Sequence, residues 1–152
     1  MRILIVEDKH NHQADARKFF KERYPDIQLL WAETQDEAMK ILDPSSSGPH
    51  EFPDGVISDI FFPYGNWKPF TGEEPCGVAV LVVCREKKIP CILNTDGNHH
   101  GARYQWVHDL TLRLGGPTMV DTFTEDKEKP TKNWECAFDE LKKAIKAKMA
   151  AA

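Results

Sequence analysis

The chain has 152 residues, 41% of them hydrophobic and 29% charged, with 24 acidic against 20 basic residues and a net charge of −4. That length suits one domain with one substantial core, and we expect a single domain over 1–149, no separate output domain, and residues 150–152 as a tail. Apolar runs too short to cross a bilayer speak against membrane insertion, and basic residues spread along the chain, apart from Lys142, Lys143, Lys146 and Lys148, speak against direct nucleic-acid binding.

Met1 leads straight into an apolar run, Ile3 to Val6, that reads as strand one and ends in Glu7-Asp8. With no signal segment, and with Cys76, Cys84, Cys91 and Cys136 lacking CxxC spacing, a cytoplasmic protein with reduced thiols is expected. Helix one follows over 12–23, where Ala16, Phe19 and Phe20 share a face, Asn11 can cap and Pro25 stops. Residues 27–32 suit strand two. Thr34-Gln35-Asp36-Glu37 then has the form of a capping box ahead of helix two. Three prolines, three serines and a glycine between 43 and 54 mark a loop.

Strand three, 55–58, delivers Asp59. The apolar run 78–83 fits strand or buried helix by periodicity, but its continuation into Arg85-Glu86-Lys87-Lys88 and its stop at Pro90 favour helix three. Residues 91–94 form strand four, ending at Thr95; 104–114 form helix four, stopped by Gly115-Gly116; 118–123 form strand five. Helix five, 134–148, is periodic through Trp134, Phe138, Leu141 and Ile145. Five βα repeats imply a parallel sheet covered on both faces by right-handed crossovers.

Sites in such sheets lie beyond the carboxyl ends of the strands, and Glu7, Asp8, Asp59 and Thr95 all stand there. One acid at a strand end is commonly just a turn residue. Three of them at one sheet edge repel one another unless a cation offsets the charge, and oxygen-only ligands favour a hard ion such as Mg²⁺.

In order and placement these residues resemble the receiver domains of bacterial response regulators, of the stand-alone, chemotaxis-regulator-like kind. Glu7-Asp8 resembles the family's acidic pair, and Ser58-Asp59-Ile60-Phe61-Phe62-Pro63 its phosphoacceptor segment. Pro90-Cys91-Ile92-Leu93-Asn94-Thr95 resembles the strand that ends in a switch hydroxyl, and Trp31-Ala32-Glu33-Thr34 through Glu37-Ala38 the strand-two to helix-two junction. The likeness runs over nearly the whole chain. It implies an α/β, flavodoxin-like, doubly wound five-stranded parallel sheet, (βα)5, in strand order 2-1-3-4-5.

It further implies that Asp59 accepts a phosphoryl group from a histidine kinase or phosphotransfer protein and passes a signal to a downstream protein, so that the chain is a phosphoacceptor and not a turnover enzyme. Mg²⁺, with Mn²⁺ as the alternative, would be held by Asp8, Asp59 and the main-chain carbonyl of Phe61, with Glu7 acting through a bound water. Thr95 would bind a phosphoryl oxygen. The family's phosphoryl-binding lysine, followed by proline, points to Lys129-Pro130, with Lys127 competing.

Several residues depart from that pattern. Asp96 follows the switch threonine where the family has a small residue, so it should repel phosphate or bind the cation. Phe61 and Gly97 stand where the family's side chains influence hydrolytic water. The segment between Pro63 and Gly77 is about ten residues longer than the family's usual loop, an estimate from motif spacing, and carries Tyr64, Trp67 and Phe70. It is either a lid or docking surface, or an Ω-type loop packing its own aromatics. His10, His12, His99 and His100 could rim the same edge and favour a transition metal. Two other readings therefore stand beside the phosphoacceptor: a receiver that binds partners without cycling phosphate, and a metal-dependent hydrolase. The hydrolase is disfavoured because Phe61 occupies the place of its second acid.

Overall fold

Strand β1, Arg2–Val6, is the second strand of a parallel sheet in which every position from Ile3 onward is buried. The computed structural model describes residues 1–43, 52–66, 72–97, 100–115, 119–121 and 131–151. β1 pairs on one side with β2, Gln28–Ala32, and on the other with β3, Gly55–Ser58.

Alternate β1 residues serve opposite faces, and both faces are covered, which is why the strand is apolar throughout and not alternating. Ile3 and Ile5 join Ile57, Phe20, Phe138 and Leu141 beneath helices α1, His10–Arg23, and α5, Trp134–Ala151. Leu4 and Val6 join Val56, Ala38, Leu42 and Val80 beneath α2, Gln35–Leu42, and α3, Cys76–Glu86. The fourth strand of this sheet, Cys91–Leu93, pairs parallel with β3; α4, Gln105–Arg113, adds Val107 to the second face.

The sheet is thus a doubly wound α/β sheet with the 2-1-3-4 order implied by the resemblance. In place of a full fifth strand, the described residues show a single parallel bridge, Asn94 with Val120, at the open edge of strand 91–93. Val120 N–H donates to Leu93 O at 2.8 Å, and Thr95 N–H donates to Val120 O at 2.9 Å. Thr118 and residues 122–123 of the expected strand lie outside the described residues.

One local expectation is corrected. Helix α1 begins at His10, with Lys9 at the N-cap and no side-chain cap, so Asn11 lies inside the helix. The long segment after Asp59 is closed at its base by a two-stranded antiparallel ribbon, β4 (Phe62–Pro63) against β5 (Glu73–Glu74). The strand at 91–93 is therefore β6 in chain order. Trp67 and Phe70 lie outside the described residues, whereas Tyr64 is exposed and its carbonyl accepts Asp36 N–H at 3.0 Å on α2.

The expected cap of α2 forms: Thr34 Oγ1 accepts Glu37 N–H at 3.2 Å, while Glu37 Oε2 accepts Glu33 N–H at 2.8 Å. Helix α3 bears on the site most directly. A Cβ at Gly77 would come within 2.1 Å of Asp59 O and 2.8 Å of Ile60 Cα, and Gly77 N–H donates to Ile60 O at 3.0 Å. Glycine lets the start of α3 lie against the backbone that follows β3.

Candidate functional site

The sheet hydrogen bonds continue one residue past each strand and fix the acids that stand there. Glu7 N–H donates to Ala32 O at 2.9 Å, Asp59 N–H to Val6 O at 2.8 Å, and Asn94 N–H to Ser58 O at 2.8 Å. Parallel pairing of β1 with β3 brings carboxylate oxygens of Glu7, Asp8 and Asp59 within 4.8 Å of one another.

Each acid has a different environment. Glu7 is fully buried; one oxygen accepts Lys9 N–H at 3.0 Å, and the other pairs with Lys132 Nζ. Asp59 is 4% exposed, with Oδ1 accepting Ile60 N–H at 2.7 Å and Oδ2 lying 3.0 Å from Lys132 Nζ. Asp8 is half-buried, and its buried Oδ1 has no hydrogen-bond partner among the described residues. Burial first, and the charge of Asp59 second, raise the Asp8 pKa. Burial likewise raises Glu7 against the pull of Lys132.

Lys132 is the cation that the sequence reading did not find. Its side chain has no exposure, and although burial favours the neutral amine, Asp59 and Glu7 together raise its pKa and hold it charged. Asn133 fixes it in place from the next position: its Oδ1 accepts Cys136 N–H at 3.0 Å, capping α5 immediately after the lysine. That Asn cap was the available signal. Lys129 and Lys127, the expected candidates, lie outside the described residues.

Thr95 is buried at the end of β6 and its Oγ1 accepts Gly97 N–H at 3.1 Å. Phe61 is largely buried and meets Tyr104 edge to face, with centroids 5.3 Å apart. Gly97 leaves the room that Tyr104 occupies, since a Cβ there would lie 2.2 Å from its ring.

Asp96 neither joins the acidic cluster nor stands unpaired. It accepts from Lys9 Nζ at 3.4 Å and lies 3.2 Å from Nε2 of His12, which is itself 2% exposed. The His12 contact first, then Lys9 against the opposing effect of burial, hold the Asp96 carboxyl well below the usual carboxylate range. His10 and His100 are exposed, His99 lies outside the described residues, and no histidine joins the potential metal cluster among the described residues. Hard carboxylate oxygens with one unpartnered buried atom suit a divalent cation of the magnesium or manganese kind.

Comparison with solved structures fits this geometry. A response regulator receiver domain protein (CheY-like) from Methanospirillum hungatei matches 99% of this chain and 98% of its own, at 14% identity and TM-score 0.65. The non-phosphorylated HemR receiver domain from Leptospira biflexa matches 95% and 93%, at 22% identity and TM-score 0.53. The fold is that of response-regulator receiver domains. The Mn²⁺-bound form of response regulator Rcp1 shares this receiver fold over 95% of this chain and 88% of its own, at 17% identity and TM-score 0.57. No protein-family model matches the sequence, and no curated protein matches it. No described helix of this receiver fold is long and apolar enough to cross a membrane.

Proposed function

We propose that the chain is a phosphoacceptor receiver: Asp59 takes a phosphoryl group from the phosphohistidine of a histidine kinase or phosphotransfer protein, with Mg²⁺ or Mn²⁺ bound. The observation that carries this reading is the position of Asp59 Oδ2, 3.0 Å from the buried Lys132 amine and beside Asp8 and Glu7.

An ionised carboxylate needs no base to act as a nucleophile. Its oxygen forms a bond to phosphorus, the phosphorus–nitrogen bond of the donor breaks, and the electron pair stays on the imidazole. Lys132, 3.0 Å from Asp59 Oδ2, offsets charge on the transferring group, where positioning and electrostatics supply most of the catalysis. Asp8, Asp59 and the Phe61 carbonyl would hold the cation, with Glu7 as an outer support already tied to Lys132. When bound, the cation neutralises the acid pair and the phosphoryl oxygens. Thr95 moves from Gly97 N–H to a phosphoryl oxygen, which carries the switch to the loop after β6.

The alternative, a receiver that no longer cycles phosphate, drew on the uncertain position of the phosphoryl-binding lysine and on the added charge of Asp96. The phosphoacceptor reading is supported over it by Lys132 beside Asp59 and by the contacts of Asp96 with His12 and Lys9. Signal relay to a downstream protein, inside the cytoplasm, completes the reading.

Incubation with Mg²⁺ and acetyl phosphate, read by intact mass, tests it. One phosphoryl adduct is expected, lost on chelation and in Asp59→Asn. An adduct that persists in Asp59→Asn, or none in the wild-type chain, contradicts the proposal.

A further inference from the structure

Strand β2 forms one edge of the sheet: it pairs with β1 and, among the described residues, with no strand on its outer side. Gln28 N–H donates to Met1 O, and Ala32 O accepts Glu7 N–H, so the even-numbered residues of β2 turn their backbone toward β1. In a parallel pair the intervening residues turn theirs away, and Leu29 and Trp31 therefore present their N–H and C=O groups to the open edge. Edges of this kind are usually blunted by a lysine, a proline or a bulge. None of these interrupts Gln28-Leu29-Leu30-Trp31-Ala32, which stays in continuous register with β1.

Beside this edge, on the α1 face of the sheet, lies a groove of about 400 Å³. Phe20 and Tyr24 of α1 and Ile27, Leu29 and Trp31 of the β2 segment supply its apolar lining, so the residues whose backbone is open also form part of its floor. Arg17 and Lys21 line it as well, four residues apart on α1, a spacing at which like charges repel. The Arg17 guanidinium lies 3.9 Å over the Trp31 ring, and neither cation meets a carboxylate among the described residues. In a chain of net charge −4, this is an uncompensated positive pair set against an apolar groove and an open strand edge.

We propose that the β2 edge takes up an extended acidic segment of a partner protein as an added strand. The backbone of that segment bonds to Leu29 and Trp31. One apolar side chain enters the groove, and an acidic side chain two residues away, on the same face, meets Arg17 and Lys21. Charge selects this occupant over a second copy of the chain, because antiparallel pairing of two β2 edges puts both Arg17–Lys21 pairs on one face with no acid between them. The surface uses none of Glu7, Asp8, Asp59 and Lys132, so it stands apart from the phosphoacceptor reading.

Two-dimensional NMR of the isotope-labelled chain tests this with the end-blocked peptide Thr-Val-Thr-Glu-Thr-Val-Thr and a counterpart in which lysine replaces the glutamate. Saturable shifts at the Leu29 and Trp31 amides are expected with the glutamate peptide. Its lysine counterpart should bind about tenfold more weakly, the effect of one charge-assisted contact, and Lys21→Glu, an exposed change on α1, should reverse that preference. N-methylation of every second peptide amide should abolish binding in one of its two phases, since it removes the edge hydrogen bonds and keeps the side chains. Equal affinity for the two peptides, binding that survives N-methylation in both phases, or no shift at Leu29 and Trp31 with the glutamate peptide overturns the inference. A dimer seen in sedimentation without peptide and broken by Trp31→Ala assigns the edge to a second copy and overturns it too.

Discussion

Asp8 is placed where ionisation is resisted, by burial first and by Asp59 second, and its pKa stands above the ordinary 3.8. A carboxyl with a folded pKa above its unfolded one favours the fold while protonated; that contribution is complete below pH 3.8 and is lost as pH rises through the folded value. At neutral pH, without divalent cation, Asp8→Asn should therefore melt higher than the wild-type chain in calorimetry. The gap should close as pH falls toward 3.8, and saturating Mg²⁺ should close it from the other side by stabilising only the wild type. Lys132 makes the complementary case. Lys132→Met leaves Glu7 and Asp59 buried without their cation and should cost about 3–5 kcal/mol in urea unfolding. Adding Glu7→Gln should recover part of that loss, because the more deeply buried charge is then gone. The acids were legible in the sequence because a strand end fixes their address. Lys132 was not, because a cap at Asn133 marks only the start of a helix and does not tell that the lysine before it meets two acids distant in sequence.

Among the elements, α3 was readable as a helix despite its β-branched content, because the charged run after Cys84 and the stop at Pro90 outweigh propensity. The capping box at Thr34 was readable for the same reason: its bonds lie within four residues of one another. The β4–β5 ribbon was not, since two-residue strands, one containing Pro63, carry no period. The role of Gly77 also waited for the structure, because the close approach is to Asp59 and Ile60 across a loop. Gly77→Ala is expected to cost about 1–3 kcal/mol, as overpacking against backbone that cannot yield. Gly55→Ala should cost less: its added Cβ would meet Leu141 Cδ1 at 2.8 Å, the movable end of a side chain. Paired urea titrations of the two variants check that order, and equal losses would mean that the α3 contact is softer than its geometry.

For the molecule as a whole, the β2-β1-β3-β6 order turns separate sequence signals into one site by setting β1 beside β3 and β3 beside β6. Alternation of strands and helices was enough to anticipate a parallel sheet covered on both faces, the resemblance to receiver domains supplied its strand order, and the strand-end acids pointed to its site. The surrounding charges form a second layer that short motifs do not encode: Asp96 is turned to His12 and Lys9, and Glu73 is held by Lys9 and Arg103. Their partners come from the N-cap and first turn of α1 and from the approach to α4, brought together only by the completed fold. The central claim is that Asp59 is the residue modified. Borohydride trapping after incubation with acetyl phosphate and Mg²⁺, followed by peptide mapping, tests it most directly. The expected result is reduction of the aspartyl phosphate to homoserine at position 59 alone; trapping at another residue, or an unmodified Asp59 in a chain that has taken up phosphate, would contradict it.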